Sequence, residues 1–279
     1  MNQSPLKGIK ELLVGPTGTG KTSSIATMVE AGVETFVLFA EGGLGTLLGY
    51  WLRQGKAIPE TLHWYELPIT PVSFEELADQ AREVNTLPYD LLCKKVDPKR
   101  KQHNQFEELY RVLHNFVDQK DGRAYGPVDS WGTGRCLAID SLSGISPLAL
   151  SLVAGNKTTL DKPHYGQAQR QIETLLRKLV YGCRCHFVLT AHPAREADEV
   201  LGGLKLYPST VGKALAPVIS PMFDDVLFST REGDKFQWTS NNPQIDLKAR
   251  HFPITGNFPQ TFLHAVQTWK TYGGMIESQ

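Results

Sequence analysis

The sequence predicts an α/β fold, with a mostly parallel central sheet flanked by helices and a small antiparallel addition toward the C-terminus. Three observations predict it. Short apolar runs alternate with segments of helical character over the first two thirds of the chain. A glycine-rich loop, GPTGTGKT at 15–22, sits between an apolar run and a helical segment. The last third carries consecutive short strand-like runs separated by turn residues.

The elements follow in order. Residues 10–14 read as a short buried strand ending at Gly15. Residues 22–30 (TSSIATMVE) read as a helix that Gly32 stops. Residues 34–40 (ETFVLFA) are β-branched and aromatic and read as a second strand, with 62–67 as a third. Ser73 with Glu76 three residues later is a capping-box pattern that starts a helix over 73–84. Residues 86–134 are less regular: a basic run, a helix over 104–118, then a glycine-rich stretch. Residues 135–140 (RCLAID) and 186–190 (HFVLT) return to strand character. Between them, Ile172, Leu175, Leu176, Leu179 and Val180 recur at helical spacing within a helix over 163–180. Strands are expected over 224–229, 234–238 and 245–250, and a final helix over 259–270. The whole is expected to be one domain over 1–279, with 86–134 as an insertion.

Composition narrows the function classes. Lys+Arg and Asp+Glu both number 29, so the formal net charge is zero, and any nucleic-acid surface must be local or assembled from several subunits. The four cysteines, Cys93, Cys136, Cys183 and Cys185, include one C-x-C and no second pair, so reduced thiols rather than a zinc ribbon are expected. The N-terminus has no apolar signal region, and no run approaches about 18 apolar residues, so no membrane span and a cytoplasmic location are expected.

The loop at 15–22 fits G-x-x-x-x-G-K-[ST] in full. A triphosphate carries several negative charges and needs many donors close to it. Glycines let successive main-chain N–H groups turn inward as an anion nest, and the following helix adds its positive end. Gly15, Pro16, Thr17, Gly18, Thr19, Gly20, Lys21, Thr22 and Ser23 are therefore expected to hold ATP. Lys21 reaches the β- and γ-phosphates, and the Thr22 hydroxyl binds Mg²⁺. The third glycine of a dinucleotide fingerprint is missing.

Such a loop needs partners from other strand ends. Asp140, closing the run 136–140, is the expected Mg²⁺ carboxylate. Glu41, closing the run 36–40 beside two glycines, is the expected base or water-orienting group if its strand neighbours the loop strand. Thr190 or His192, at the end of 186–190, is the expected γ-phosphate contact, with His192 assigned to the nucleotide. A GTPase fits poorly: Asp140 to Gly144 is D-x-x-x-G, and Asn156-Lys157 lacks the following Asp.

A P-loop, a strand ending in Glu, a strand ending in Asp-Ser and a strand ending in a polar sensor, in that order, resemble the RecA-type ATPases. Lys248-Ala-Arg250 resembles the K-x-R pair that RadA-like and DnaB-like relatives place across a subunit interface as a trans-acting finger. The stretch Phe223-Asp224-Asp225-Val226-Leu227 looks like the phage single-domain RecA-like ATPases of recombination and single-strand annealing. The resemblance spans about residues 9–255. It implies ATP between subunits of a homo-oligomer, with Lys21, Thr22, Glu41 and Asp140 from one copy and catalytic Lys248 and Arg250 from its neighbour. It also implies sequence-tolerant binding of single-stranded DNA by 193–213 (Arg195, Lys205, Lys213) and 155–164, a single-stranded DNA-binding protein as partner, and, for a phage protein, the cytoplasm of a bacterial host. The basic run Lys94-Lys95, Lys99-Arg100-Lys101 is a further positive patch. Two alternatives stay open: a small-molecule or nucleotide kinase, for which no arginine-rich lid is found, and a nucleotide-gated binding module with little turnover.

Overall fold

The computed structural model describes residues 5–68, 73–88, 90–91, 104–155, 159–197, 202–254 and 256–278. Among the described residues ten strands follow in chain order: β1 Lys10–Val14, β2 Glu34–Phe39, β3 Leu62–Glu66, β4 Arg135–Asp140, β5 His186–Ala191, β6 Pro193–Ala197, β7 Leu204–Pro208, β8 Asp225–Glu232, β9 Lys235–Thr239 and β10 Asn257–Pro259. Eight of them form one sheet in the order β10-β9-β8-β1-β5-β4-β2-β3, and β6 and β7 make a separate hairpin. The pairs from β3 through β8 are parallel, and β8-β9 and β9-β10 are antiparallel. The expected mostly parallel sheet with a C-terminal antiparallel edge is what the chain forms.

Side chains alternate across the pleat, so each strand feeds two cores. Leu12, Val14, Phe36, Leu38, Leu137 and Ile139 face one layer, packed by the helices Gln105–His114, Leu142–Ala154 and Lys162–Arg177. Leu13, Val37, Phe39 and Ala138 face the other, where the loop helices Lys21–Ser24 and Ala26–Glu30, then Leu44–Leu52 and Leu263–Thr271, lie. Ser73 caps the helix Phe74–Thr86 through the capping box with Glu76. Among the described residues, no helix is long and apolar enough to cross a membrane.

Several expectations change. Residues 245–250 form no strand; Ile245 and Lys248 make only isolated bridges to Leu206 and Val226. The reason is edge availability. β9 already occupies β8 from Phe228 to Glu232, leaving only its first residues open on that side. The last helix begins at Leu263 rather than 259, because Pro259 belongs to β10. The described part of 86–134 is not appended to the core but built into it. Phe106, Leu109, Val112, Phe116, Val128 and Trp131 are buried in the same layer as β2 and β4. There Arg135 lies 5.3–5.4 Å from the rings of Phe36, Tyr125 and Trp131, a cation–π arrangement worth about 0.5–2 kcal/mol. Cys136, Cys183 and Cys185 are free and buried; Cys93 lies outside the described residues.

Candidate active site

The loop 15–20 leaves β1 at the carboxyl end of the parallel strands, where open α/β sheets place their ligands. Two glycines have definite structural reasons. A side chain at Gly15 would meet Ser229 at 2.7 Å, so β8 closes on the loop. Gly20 has φ +86 and, in addition, a Cβ there would lie 2.5 Å from Gln260 Oε1. It hands the chain to the helix Lys21–Ser24. Pro16, Thr17 and Gly18 are exposed at the rim, while Thr19 is buried and donates its hydroxyl to the Pro16 carbonyl at 2.8 Å. Ser23 hydrogen-bonds back to the Gly20 carbonyl.

Lys21 is buried, and its ammonium donates to the carbonyls of Gly15 (2.6 Å) and Pro16 (2.9 Å), lying across the inside of the loop. Burial lowers its pKa to about 8, against the opposing pull of Asp140 and Glu41. A cation poised so near neutrality is one that an incoming polyanion recharges.

Asp140, at the end of β4, is 9% exposed and its carboxylate is held at both oxygens. Thr22 donates to Oδ2 at 2.7 Å, and Thr190, from β5 between β4 and β1, donates to Oδ1. The peptide from Asp140 to Ser141 is cis. A hydroxyl and a carboxylate in direct contact beside a phosphate loop are the hard oxygen donors that Mg²⁺ takes, so these residues fit the ion. Thr190 is thereby turned to Asp140 and buried, while His192, the other sensor candidate, lies beside Glu41.

Glu41 reaches this place by a route the sequence reading did not foresee. β2 does not neighbour the loop strand; β4 and β5 lie between them. The chain after β2 instead turns across the end of β4. A Cβ at Gly43 would lie 3.1 Å from Asp140 Oδ2, and one at Gly144 would lie 2.8 Å from Glu41 Cγ. The Glu41 carboxylate is exposed and sits 3.7 Å from His192 Nε2, whose backbone N–H is held by Ser143 Oγ at 3.0 Å. Lys21, Thr22, Glu41, Asp140 and His192 therefore converge.

Lys248 and Arg250 do not join them. Lys248 bridges Val226, and the Arg250 N–H donates to Asp225, which is level with Glu11 at the start of β1. The loop begins four residues further on, about 13 Å along the strand. Lys248 Nζ donates to the Phe223 carbonyl at 2.7 Å, and Arg250 pairs with Asp224 at 2.5 Å. The arginine remains largely exposed.

The segment 193–213 holds the hairpin β6–β7 and carries Arg195 and Lys205; Lys205 pairs with Asp246 at 2.7 Å. Its tip at 198–201, the 156–158 part of the other expected DNA loop, and the basic run 94–101 lie outside the described residues.

The AAA_24 family, described as an AAA domain, matches residues 7–251. The chain belongs to this family. β1 with its phosphate loop, β5 with Thr190 and β4 with Asp140 lie side by side in the mostly parallel sheet of this AAA domain, the arrangement of a P-loop ATPase fold. Among solved structures the chain is similar to one titled "Crystal structure of the RadB recombinase", at 12% identity, a TM-score of 0.38, and coverage of 84% of this chain and 80% of that one. No curated protein matches the chain.

Two residues of the AAA_24 site, Ser143 and Gln260, escaped the sequence reading, and Thr190, a candidate for the γ-phosphate, is instead bound to Asp140. Ser143 and Thr190 fix His192 and Asp140. Gln260 donates to the Thr19 carbonyl at 2.8 Å from 241 residues away and braces the loop from outside. Nothing local in the sequence announces a contact of that separation.

Proposed function

We propose that the chain is a Mg²⁺-dependent ATP hydrolase that works as a homo-oligomer on single-stranded DNA, in phage-type recombination or strand annealing. The observation that carries the reading is the convergence at the strand ends: a phosphate loop, a cation inside it, a Thr22–Asp140 oxygen pair and an exposed Glu41–His192 pair. Mg²⁺, if held there, would supply charge neutralisation to the phosphates. The loop amides and Lys21 hold the triphosphate tail, and Thr22 with Asp140 holds the ion through hydroxyl and carboxylate oxygens. Glu41 orients the attacking water, and His192 contacts the γ-phosphate and couples its loss to the hairpin that begins one residue later.

The position of Lys248 and Arg250 supports the oligomer. They lie too far along the sheet to touch the phosphates of their own loop, so a γ-phosphate that they serve beside Lys21 is that of a second copy. Zero net charge supports local or multiplied DNA contacts rather than a single basic face.

The test is ATP turnover with and without single-stranded DNA, with particle mass recorded on the same sample. DNA-stimulated turnover in an oligomer is the expected result. Full turnover in a DNA-indifferent monomer, or transfer of phosphate to an acceptor other than water, would overturn the reading.

A further inference from the structure

At the end of the sheet away from the loop, three metal-ligating side chains meet in the interior. Glu11 comes from β1, Asp225 from β8, and His251 from the segment that follows Arg250. Their ligand atoms all lie within 4.8 Å of one another, and all three residues are buried. His251 Nδ1 is 2.6 Å from Asp225 Oδ2 and 4.0 Å from Glu11 Oε1. Asp225 Oδ1 is held separately, by the backbone N–H groups of Arg250 and His251, which leaves Oδ2 for the cluster.

Glu11 is the telling member. It is 0% exposed, and among the described residues no N–H or hydroxyl donates to either carboxylate oxygen; the polar group beside it is the Asp225 carboxyl. A buried carboxylate without donors costs several kcal/mol, and a second carboxylate beside it adds repulsion. Burial, with Asp225 next to it, accordingly raises the Glu11 pKa well above the usual carboxylate range. A divalent cation removes both penalties at once.

The donor set selects the ion. One imidazole and two carboxylates suit zinc, with bonds of about 2.0–2.2 Å, and tetrahedral geometry then sets ligand atoms roughly 3.3 Å apart. The observed 2.6 and 4.0 Å fall on either side of that spacing, each within about 0.7 Å of it. Magnesium and calcium want six or more oxygens and retained water, which a closed pocket with an imidazole does not supply, whereas both Glu11 oxygens with Asp225 Oδ2 and His251 Nδ1 make up the four donors of zinc.

We propose that Glu11, Asp225 and His251 form a buried site for a zinc-type divalent cation, which ties β1 and β8 to the segment bearing Lys248 and Arg250. The metal replaces the direct Asp225–His251 contact and fixes the peptide next to Arg250. The value of that fixing for catalysis rests on the proposed function; the metal site itself does not.

The experiment loads the whole chain with zinc sulfate, dialyses it into metal-free buffer, and reads metal content and thermal melting for the wild type and Glu11→Gln. About one equivalent of zinc is expected in the wild type, none in Glu11→Gln, with a melting temperature that falls on chelation and is indifferent to magnesium chloride. Cobalt(II) absorption of the wild type supplies a second readout that needs no variant, and tetrahedral bands are expected. A wild type that keeps no zinc and melts unchanged would overturn the proposal, leaving Glu11 as a protonated acid. So would equal zinc in Glu11→Gln, or cobalt without tetrahedral bands. All of these outcomes are independent of ATP turnover.

Discussion

The two ends of the central sheet treat charge in opposite ways. At the carboxyl end, the ionisable groups sit at the surface or on the rim of a loop: Glu41 is exposed, His192 half-buried, and only Lys21 and Asp140 go under. At the amino end, Lys10, Glu11, Asp225 and His251 are all buried; Lys10, Asp225 and His251 are paired with other interior groups, and Glu11 lies beside the Asp225 carboxyl. Lys10 donates to the carbonyls of Cys183 and Cys185. Asp225 takes two backbone N–H groups and an imidazole. The first end is built to exchange its partners with a ligand; the second holds its partners fixed. Arg250, exposed at the amino end yet in the segment anchored by Asp225, is where the fixed end presents a charge to the outside.

The comparison predicts that substitutions at one end act on turnover and at the other on stability, with Arg250 as the exception. Arg250→Ala should give the largest effect on turnover, about 10³-fold or more if it serves a neighbour's γ-phosphate. Its stability should barely move, because an exposed ion pair contributes about 0–1 kcal/mol. Steady-state ATPase assays with a chemical melt check both halves, and unchanged turnover would remove the trans finger.

Lys21→Ala should lower turnover by about 10²–10³-fold, with the fold intact by circular dichroism. Retained hydrolysis would remove the site assignment. Asp225→Ala should behave in the opposite sense. It strips the acceptor from two backbone N–H groups and a buried imidazole, at about 3–5 kcal/mol, read as a lower urea midpoint. A midpoint unchanged from wild type would erase the contrast between the ends.

The smallest effect is a pH dependence. Lys21 has a pKa lowered to about 8, so the charged form that binds a polyanion dominates below that pH and is lost above it. From pH 7 to pH 9 its charged share falls about tenfold, so nucleotide affinity should weaken by roughly that factor. Binding near pH 8 should also take up a proton, since a bound phosphate raises the lysine pKa. Calorimetry in two buffers of different ionisation enthalpy measures the uptake; flat affinity across the range would show that Lys21 is not the cation contacting the phosphates.

Legibility in the sequence followed the same division. The loop residues are contiguous, and a local pattern was enough to find them. Asp140 and Glu41 were readable as the polar ends of apolar strands, although the route by which Glu41 arrives depended on a strand order that no local pattern specifies. The helix Leu142–Ala154 was not readable. It is apolar on most sides and contains Pro147, so no helical period stands out. The hairpin β6–β7 is short, partly exposed and flanked by Gly202 and Gly203, and it reads as loop. The cluster of Glu11, Asp225 and His251 joins residues separated by up to 240 positions. Each looks ordinary in its own stretch, and only strand pairing brings them together.

Mixing the two inactive variants, Lys21→Ala and Arg250→Ala, tests the shared site most directly. Each preparation alone should be nearly silent, and the mixture should recover a substantial part of wild-type ATP turnover. In mixed assemblies an intact loop on one subunit meets an intact arginine on the next. A mixture no more active than its components, in particles shown to exchange subunits, would contradict a site built from two copies.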